Sequence, residues 1–146
     1  MALKRTPLWY RQELPAFLAA RKAAPFAWGV NDCCMFPADA IQAITSTDIA
    51  GDFRGKYTDQ ASALALIKTV TGGTTVADAA AHCATKAGLV EWKFPLQAQR
   101  GDLVVLQDGA NLIGAIVSGD GRYAVTAAEG GMKYFPLRQV TRAWKV

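Results

Sequence analysis

The side chains of this sequence best suited to nucleophilic or ligating chemistry are three cysteines, Cys33, Cys34 and Cys83, and one histidine, His82. Cys33 and Cys34 follow Asp32, and a helical pattern starts at once. An aspartate there caps a helix by accepting its free backbone N–H groups. Cys33 then falls in the first turn, where exposed amides and the helix dipole favour a thiolate. A nucleophilic cysteine is built in such a place, and so is an ordinary small buried residue. His82 is the only imidazole in the chain, and it sits mid-helix among alanines. That setting reads as a half-exposed or hydrogen-bonded helix residue rather than a base. Three cysteines and His82 could supply four zinc ligands on paper. Residues 33 and 34 are adjacent, however, as are 82 and 83, and adjacent helical residues point about 100° apart. No metal site is expected. An odd cysteine count does not suggest a disulfide framework either.

The elements that must position these groups follow from periodicity. Thr6 as cap and Pro7 as first residue predict a helix over 6–20. Its loose apolar stripe is Leu8, Trp9, Leu14, Phe17 and Leu18, with Pro15 kinking or splitting it. In 33–44 the set Cys33, Phe36, Ala40, Ile41 and Ile44 recurs every three or four residues. This spacing defines one face of a central buried helix. Asp39 lies off that face and reads as a capping or solvated acid. Residues 57–70 predict a third helix, capped by Thr58 or Asp59 and stopped by Gly72-Gly73. Thr75 opens a fourth over 76–86, with Asp78 as its reciprocal partner and Gly88 as its left-handed end.

After Leu89 the period falls to two. Residues 103–106, 113–117 and 123–126 read as strands. Gly109-Ala110-Asn111 and Gly119-Asp120-Gly121 are the turns between them. Residues 89–92, 132–135 and 143–146 supply the remaining extended segments. Helices first and an antiparallel sheet afterwards is an α+β order. One domain over 1–146 is expected, with an N-terminal helical segment 1–25, a helical part 26–88 and a sheet 89–146.

Just over half of the 146 residues are apolar, 51 %, which argues against disorder. No window is long enough for a membrane span. Residues 2–11 lack the apolar run of a secretory leader, which predicts a protein that stays in its cell or is packed into a particle. The net charge of +4 is spread thinly and forms no dense Lys/Arg block. No nucleic-acid surface is expected from it.

The stretch Phe26-Ala27-Trp28-Gly29-Val30-Asn31-Asp32-Cys33-Cys34 carries a resemblance. Trp28-Gly29 followed by Asp32-Cys33 resembles the Trp-Gly…Asp-Cys signature of NlpC-type cysteine peptidases, whose fold is papain-like. The chain is more similar still to a small phage-encoded family, tail-associated by its gene company. That family has Asp-Cys-Cys after Phe-x-Trp-Gly and ends in Arg-Ala-Trp, here Arg142-Ala143-Trp144. Gly101-Asp102-Leu103-Val104 matches the Gly-Asp-Leu-Val that opens a core strand in NlpC-type domains. The likeness runs from Phe26 to the end of the chain. It implies a papain-like α+β domain with Cys33 at the nucleophile position.

A cysteine hydrolase needs a base beside the thiol and a group that orients the base. The resemblance places that base in a His-Val-Gly-Ile pattern, and the matching stretch here is Leu112-Ile113-Gly114-Ala115. Leu112 stands where the histidine would be and cannot hold a proton. Asn111 beside it is no base, and Tyr123 and Thr126 on the following strand would have nothing to orient. Asp32 is engaged as a cap, and Asp102 and Glu129 read as solvated acids at strand ends. His82 would reach Cys33 only through unusual packing. The resemblance therefore implies Leu112 packed near Cys33, and a thiol without a base beside it should be of modest nucleophilicity.

Two functions are then in play. The first is a phage tail structural or tail-assembly protein whose degenerate papain-like domain contacts other tail, baseplate or hub proteins. It would reside in the virion, or in the host cytoplasm during assembly. The second is a cysteine hydrolase or amidase acting on peptidoglycan peptides, with Cys33 as nucleophile and an atypical base. Neither calls for a cofactor. Phe94-Pro95-Leu96 and Phe135-Pro136-Leu137 read as apolar docking points or as pins that hold loops to the sheet.

Overall fold

The computed structural model describes residues 3–146. Among these residues, four helices precede a six-stranded sheet. The helices are α1 (Glu13–Arg21), α2 (Met35–Thr45), α3 (Gln60–Thr71) and α4 (Val76–Lys86). The strands are β1 (Val90–Glu91), β2 (Leu103–Asp108), β3 (Asn111–Val117), β4 (Tyr123–Ala128), β5 (Gly131–Pro136) and β6 (Val140–Lys145). They lie in the order β1-β6-β2-β3-β4-β5, and every neighbouring pair is antiparallel. The α+β order expected from the change of period is the order observed. None of the described helices is long and apolar enough to cross a membrane.

Helix α2 is the buried helix. Phe36, Ala40, Ile41 and Ile44 are shut off from solvent, as their spacing required. Phe17 of α1 meets Phe36 edge-on with ring centroids 5.2 Å apart. Strand side chains alternate between two apolar clusters. Leu103, Val105, Ile116, Val125 and Trp144 join the helices. Val104, Leu106, Ala115, Val117, Ala124, Phe135 and Ala143 build a second cluster with Ala98 and Val140. Cover on both faces explains why residues 103–106 form an unbroken apolar run.

Three boundaries depart from the sequence reading. The first helix was expected over 6–20, but residues 7–12 are turns and α1 starts at Glu13. The Thr6 N–H donates to the Ile44 carbonyl at 2.8 Å, which ties this segment to the end of α2. The Leu14 N–H reaches back five residues to Trp9 at 2.8 Å, out of α-helical register. Pro15 then lies in the first turn of α1, where no intrahelical N–H bond is lost. Helix α3 starts at Gln60 because Asp59 accepts the Ser62 N–H at 2.7 Å. Helix α2 is regular only from Met35, although its first turn grows from Asp32. Helix α4 has the bounds read from the sequence, and Asp78 accepts the Thr75 N–H at 3.0 Å.

The sheet edges are short or tied. Strand β1 has two residues. On the other edge, the Met132 N–H donates to the Lys22 carbonyl at 3.1 Å, and β5 ends in Pro136. Gly131, at φ +118°, lies against the same Lys22 carbonyl, where a Cβ would come within 2.6 Å of it. The two Phe-Pro-Leu stretches part company. Phe135 is buried and pins β5 to the second cluster, whereas Phe94 and Leu96 are 58 % and 68 % exposed.

Asp102 corrects the expectation of a solvated acid, since it is fully buried. Its Oδ1 accepts from Arg5 Nη2 at 2.9 Å and the Val146 N–H at 3.1 Å. Its Oδ2 accepts from Trp92 Nε1 at 2.8 Å and the Gln99 N–H at 2.9 Å. The segments around residues 5, 92, 99 and 146 converge on it, which no local pattern announces. Breaking one partner of a buried charge pair costs roughly 3–5 kcal/mol. Asp102→Asn should lower the denaturant midpoint accordingly with an unchanged slope. Exposed Glu129→Gln should stay within about 0.5 kcal/mol of the parent. Equal effects from the two substitutions would refute this role.

Candidate functional site

Asp32 is buried with no exposed surface and organises the site. Its Oδ1 accepts the N–H groups of Cys34 at 2.9 Å and Met35 at 2.8 Å. Its carbonyl accepts the Phe36 N–H at 2.8 Å, so Asp32 caps the turn that runs into α2. Its Oδ2 accepts the Gly29 N–H at 2.7 Å and the Tyr57 hydroxyl at 2.6 Å. Gly29 has φ +81°, and a side chain there would collide with the Tyr57 carbonyl. The Trp-Gly…Asp-Cys spacing is thus the spacing of a loop that folds back onto its own capping carboxylate.

Cys33 is half-buried in the first turn after Asp32. Gly114 of β3 packs directly on the Cys33 carbonyl, where a Cβ would overlap it. The missing side chain lets the strand approach the turn. Leu112 lies two residues earlier on β3 and so shares the face of Gly114. Cys33 and Leu112 come together in one groove of about 250 Å³, with Trp28, Thr75, Val76 and Asn111 also in its wall. Among the described residues, no histidine or carboxylate lines that groove.

The other candidates lie elsewhere. His82 Nε2 is 2.8 Å from Asp52 Oδ2, and Lys86 Nζ reaches the same carboxylate at 2.9 Å. Hydrogen bonds from His82, then Lys86, hold the Asp52 carboxyl down at about 2. The imidazole therefore belongs to a partly exposed ion cluster and not to the groove. Asp39 is paired with Arg21 at 2.8 Å and Arg54 at 2.7 Å. Thr126 is buried on the sheet face opposite Val125, and Tyr123 is exposed beside Tyr134.

A smaller apolar cavity of about 40 Å³ shares part of its wall with the groove. Cys33, Cys34 and Cys83 all line it, together with Met35, Phe53 and Leu103. The three thiols are held differently. Hydrogen bonding from the Cys34 thiol, and then from the Gly114 amide, pulls the Cys33 thiol below its ordinary value against the effect of burial. The same pairing, with burial, pushes Cys34 well up. Burial pushes Cys83 up to about 12. Sequence reasoning missed this meeting of thiols, because Cys83 reaches it only through the packing of α4. It also missed the Asp32–Tyr57 bond. A lone glycine inside a strand pattern was the available signal for the close approach at Gly114.

The lowered Cys33 value sets the direction of a pH dependence. Its thiolate is present above the depressed midpoint and is lost as pH falls through it. Alkylation by iodoacetamide, assigned by mass spectrometry, should therefore show a Cys33 midpoint below that of a free cysteine thiol treated alongside it. Cys34 and Cys83 should remain unlabelled where Cys33 is complete. A Cys33 midpoint at or above that of the free thiol would refute the arrangement.

No curated protein and no solved structure matches the chain. A family model described as a domain of unknown function, DUF6950, matches residues 4–146. That match spans nearly the whole sequence, and the chain belongs to this family.

Proposed function

We propose that this protein is a phage tail structural or tail-assembly protein that keeps a papain-like, NlpC-type frame without its hydrolytic chemistry. It works through contacts with other tail, baseplate or hub proteins. The observation that carries this reading is Leu112 in the groove beside Cys33, at the position where the resemblance puts a histidine. Amide hydrolysis by a thiol needs a group to move protons to and from the leaving nitrogen. Asp32 is the nearest carboxylate in sequence, and its oxygens already accept four donors. His82 is engaged by Asp52. The cysteine helix packed on an antiparallel sheet, and the strand opened by Gly101-Asp102, support the papain-like comparison. The exposed Val90, Phe94 and Leu96 offer apolar points for a partner.

The alternative is a hydrolase or amidase of peptidoglycan peptides. The lowered Cys33 thiol and the open groove favour it. It requires a base supplied from outside the groove.

Mass spectrometry of purified mature particles separates the two. The protein should be present in fixed proportion to known tail proteins, or be required for tail assembly when its gene is removed. Purified protein should leave cell-wall peptides uncut. Absence from particles, normal tails without it, and a cell-wall cleavage abolished by Cys33→Ala would overturn the proposal in favour of the hydrolase.

A further inference from the structure

The groove and the smaller cavity share three lining residues, Cys33, Cys34 and Val76. Cys83 also lines the smaller cavity. Three thiols, two from the turn before α2 and one from α4, thus line one apolar void, and the first two also line the groove. What the groove lacks for hydrolysis is a proton carrier. Reduction of a hydroperoxide asks for less: one thiolate and a second thiol within reach.

We propose that Cys33 and Cys34 form a hydroperoxide-reactive dithiol site, in which Cys33 is oxidised to a sulfenic acid and Cys34 resolves it as a Cys33–Cys34 disulfide. In the first step the Cys33 thiolate sulfur attacks one peroxide oxygen. A sulfur–oxygen bond forms, the oxygen–oxygen bond breaks, and the departing alkoxide or hydroxide takes a proton from water. In the second step the Cys34 sulfur displaces the hydroxyl from the Cys33 sulfur. A sulfur–sulfur bond forms, the sulfur–oxygen bond breaks, and the Cys34 proton leaves with the hydroxyl as water. The peroxide gains the two electrons that the thiol pair loses.

Cys34 is the resolving thiol because it is the next residue and lines the same two spaces as Cys33. The turn before α2 places Cys33 at the positive end of the helix dipole, which favours the thiolate that starts the reaction. The disulfide closes a small ring through the peptide bond joining residues 33 and 34. Cys34 now has φ −92° and ψ −47°, and its N–H is held by Asp32. Ring closure must turn this backbone out of its helical setting and strain that bond. A strained disulfide is easily reduced, so the mark is reversible. The inference stands apart from the tail role, and its test does not use particles.

The full chain is treated with hydrogen peroxide and digested for mass spectrometry. Cys33 should be consumed about tenfold faster than free cysteine at the same pH. The product should be a loss of two hydrogens confined to the peptide that holds residues 33 and 34, reversed by dithiothreitol. Cys34→Ser should stop the reaction at a sulfenic acid on Cys33 that dimedone captures, and Cys34→Ala serves if the serine variant does not fold. Cys83→Ser should leave the disulfide unchanged. A cross-link from Cys33 to Cys83, direct passage of Cys33 to sulfinic acid with Cys34 still free, or consumption no faster than free cysteine would overturn the proposal.

Discussion

A single buried carboxylate holds the site together. Asp32 has no exposed surface, and its two oxygens accept four donors from three places in the chain. Hydrogen bonds to a charged group contribute about 1.5–3 kcal/mol each when both partners are buried. An ionised carboxylate without them would be strongly disfavoured in this setting. The loop at Gly29, the hydroxyl of Tyr57 and the first turn of α2 are therefore bound to one another through it. Cys33 inherits its position from that knot, because its neighbours on both sides are fixed.

The second determinant is the side-chain alternation of β3. Opposite β2, Gly114 pairs with Val105 and Leu112 with Gln107. Both β3 residues face the cysteine turn. The strand meets the Cys33 carbonyl where it has no side chain, and it presents an apolar one a step earlier. The side chain that this approach delivers to the groove is aliphatic and carries no titratable proton.

Much of the frame was legible because its signals are local. The stripe of α2, the cap and end of α4, and the turn at Gly109-Ala110 each lie within a few residues of what they specify. The failures are all nonlocal. Residues 7–12 carry a helical stripe, but Thr6 is drawn to Ile44 and the turn loses register. Asp102 looks like a solvated strand-end acid until Arg5, Trp92 and Val146 arrive around it. Cys83 lies on a helix that was legible, but its partners at the cavity were not, since they lie far back in the sequence. The resemblance to NlpC-type domains supplied the pairing of Cys33 with position 112, which periodicity alone could not.

The guarded sheet edges bear on how anything could attach to this protein. An exposed ladder of N–H and C=O groups accepts almost any extended chain, because backbone groups are the same in every sequence. Here one edge is two residues long, and the other is fastened at Met132 and finished by a proline. Strand addition, the least selective mode of association, has little to grip. Recognition is left to side chains, whose shape and charge differ from one surface to the next, and the sheet can sit among crowded neighbours without fusing to them.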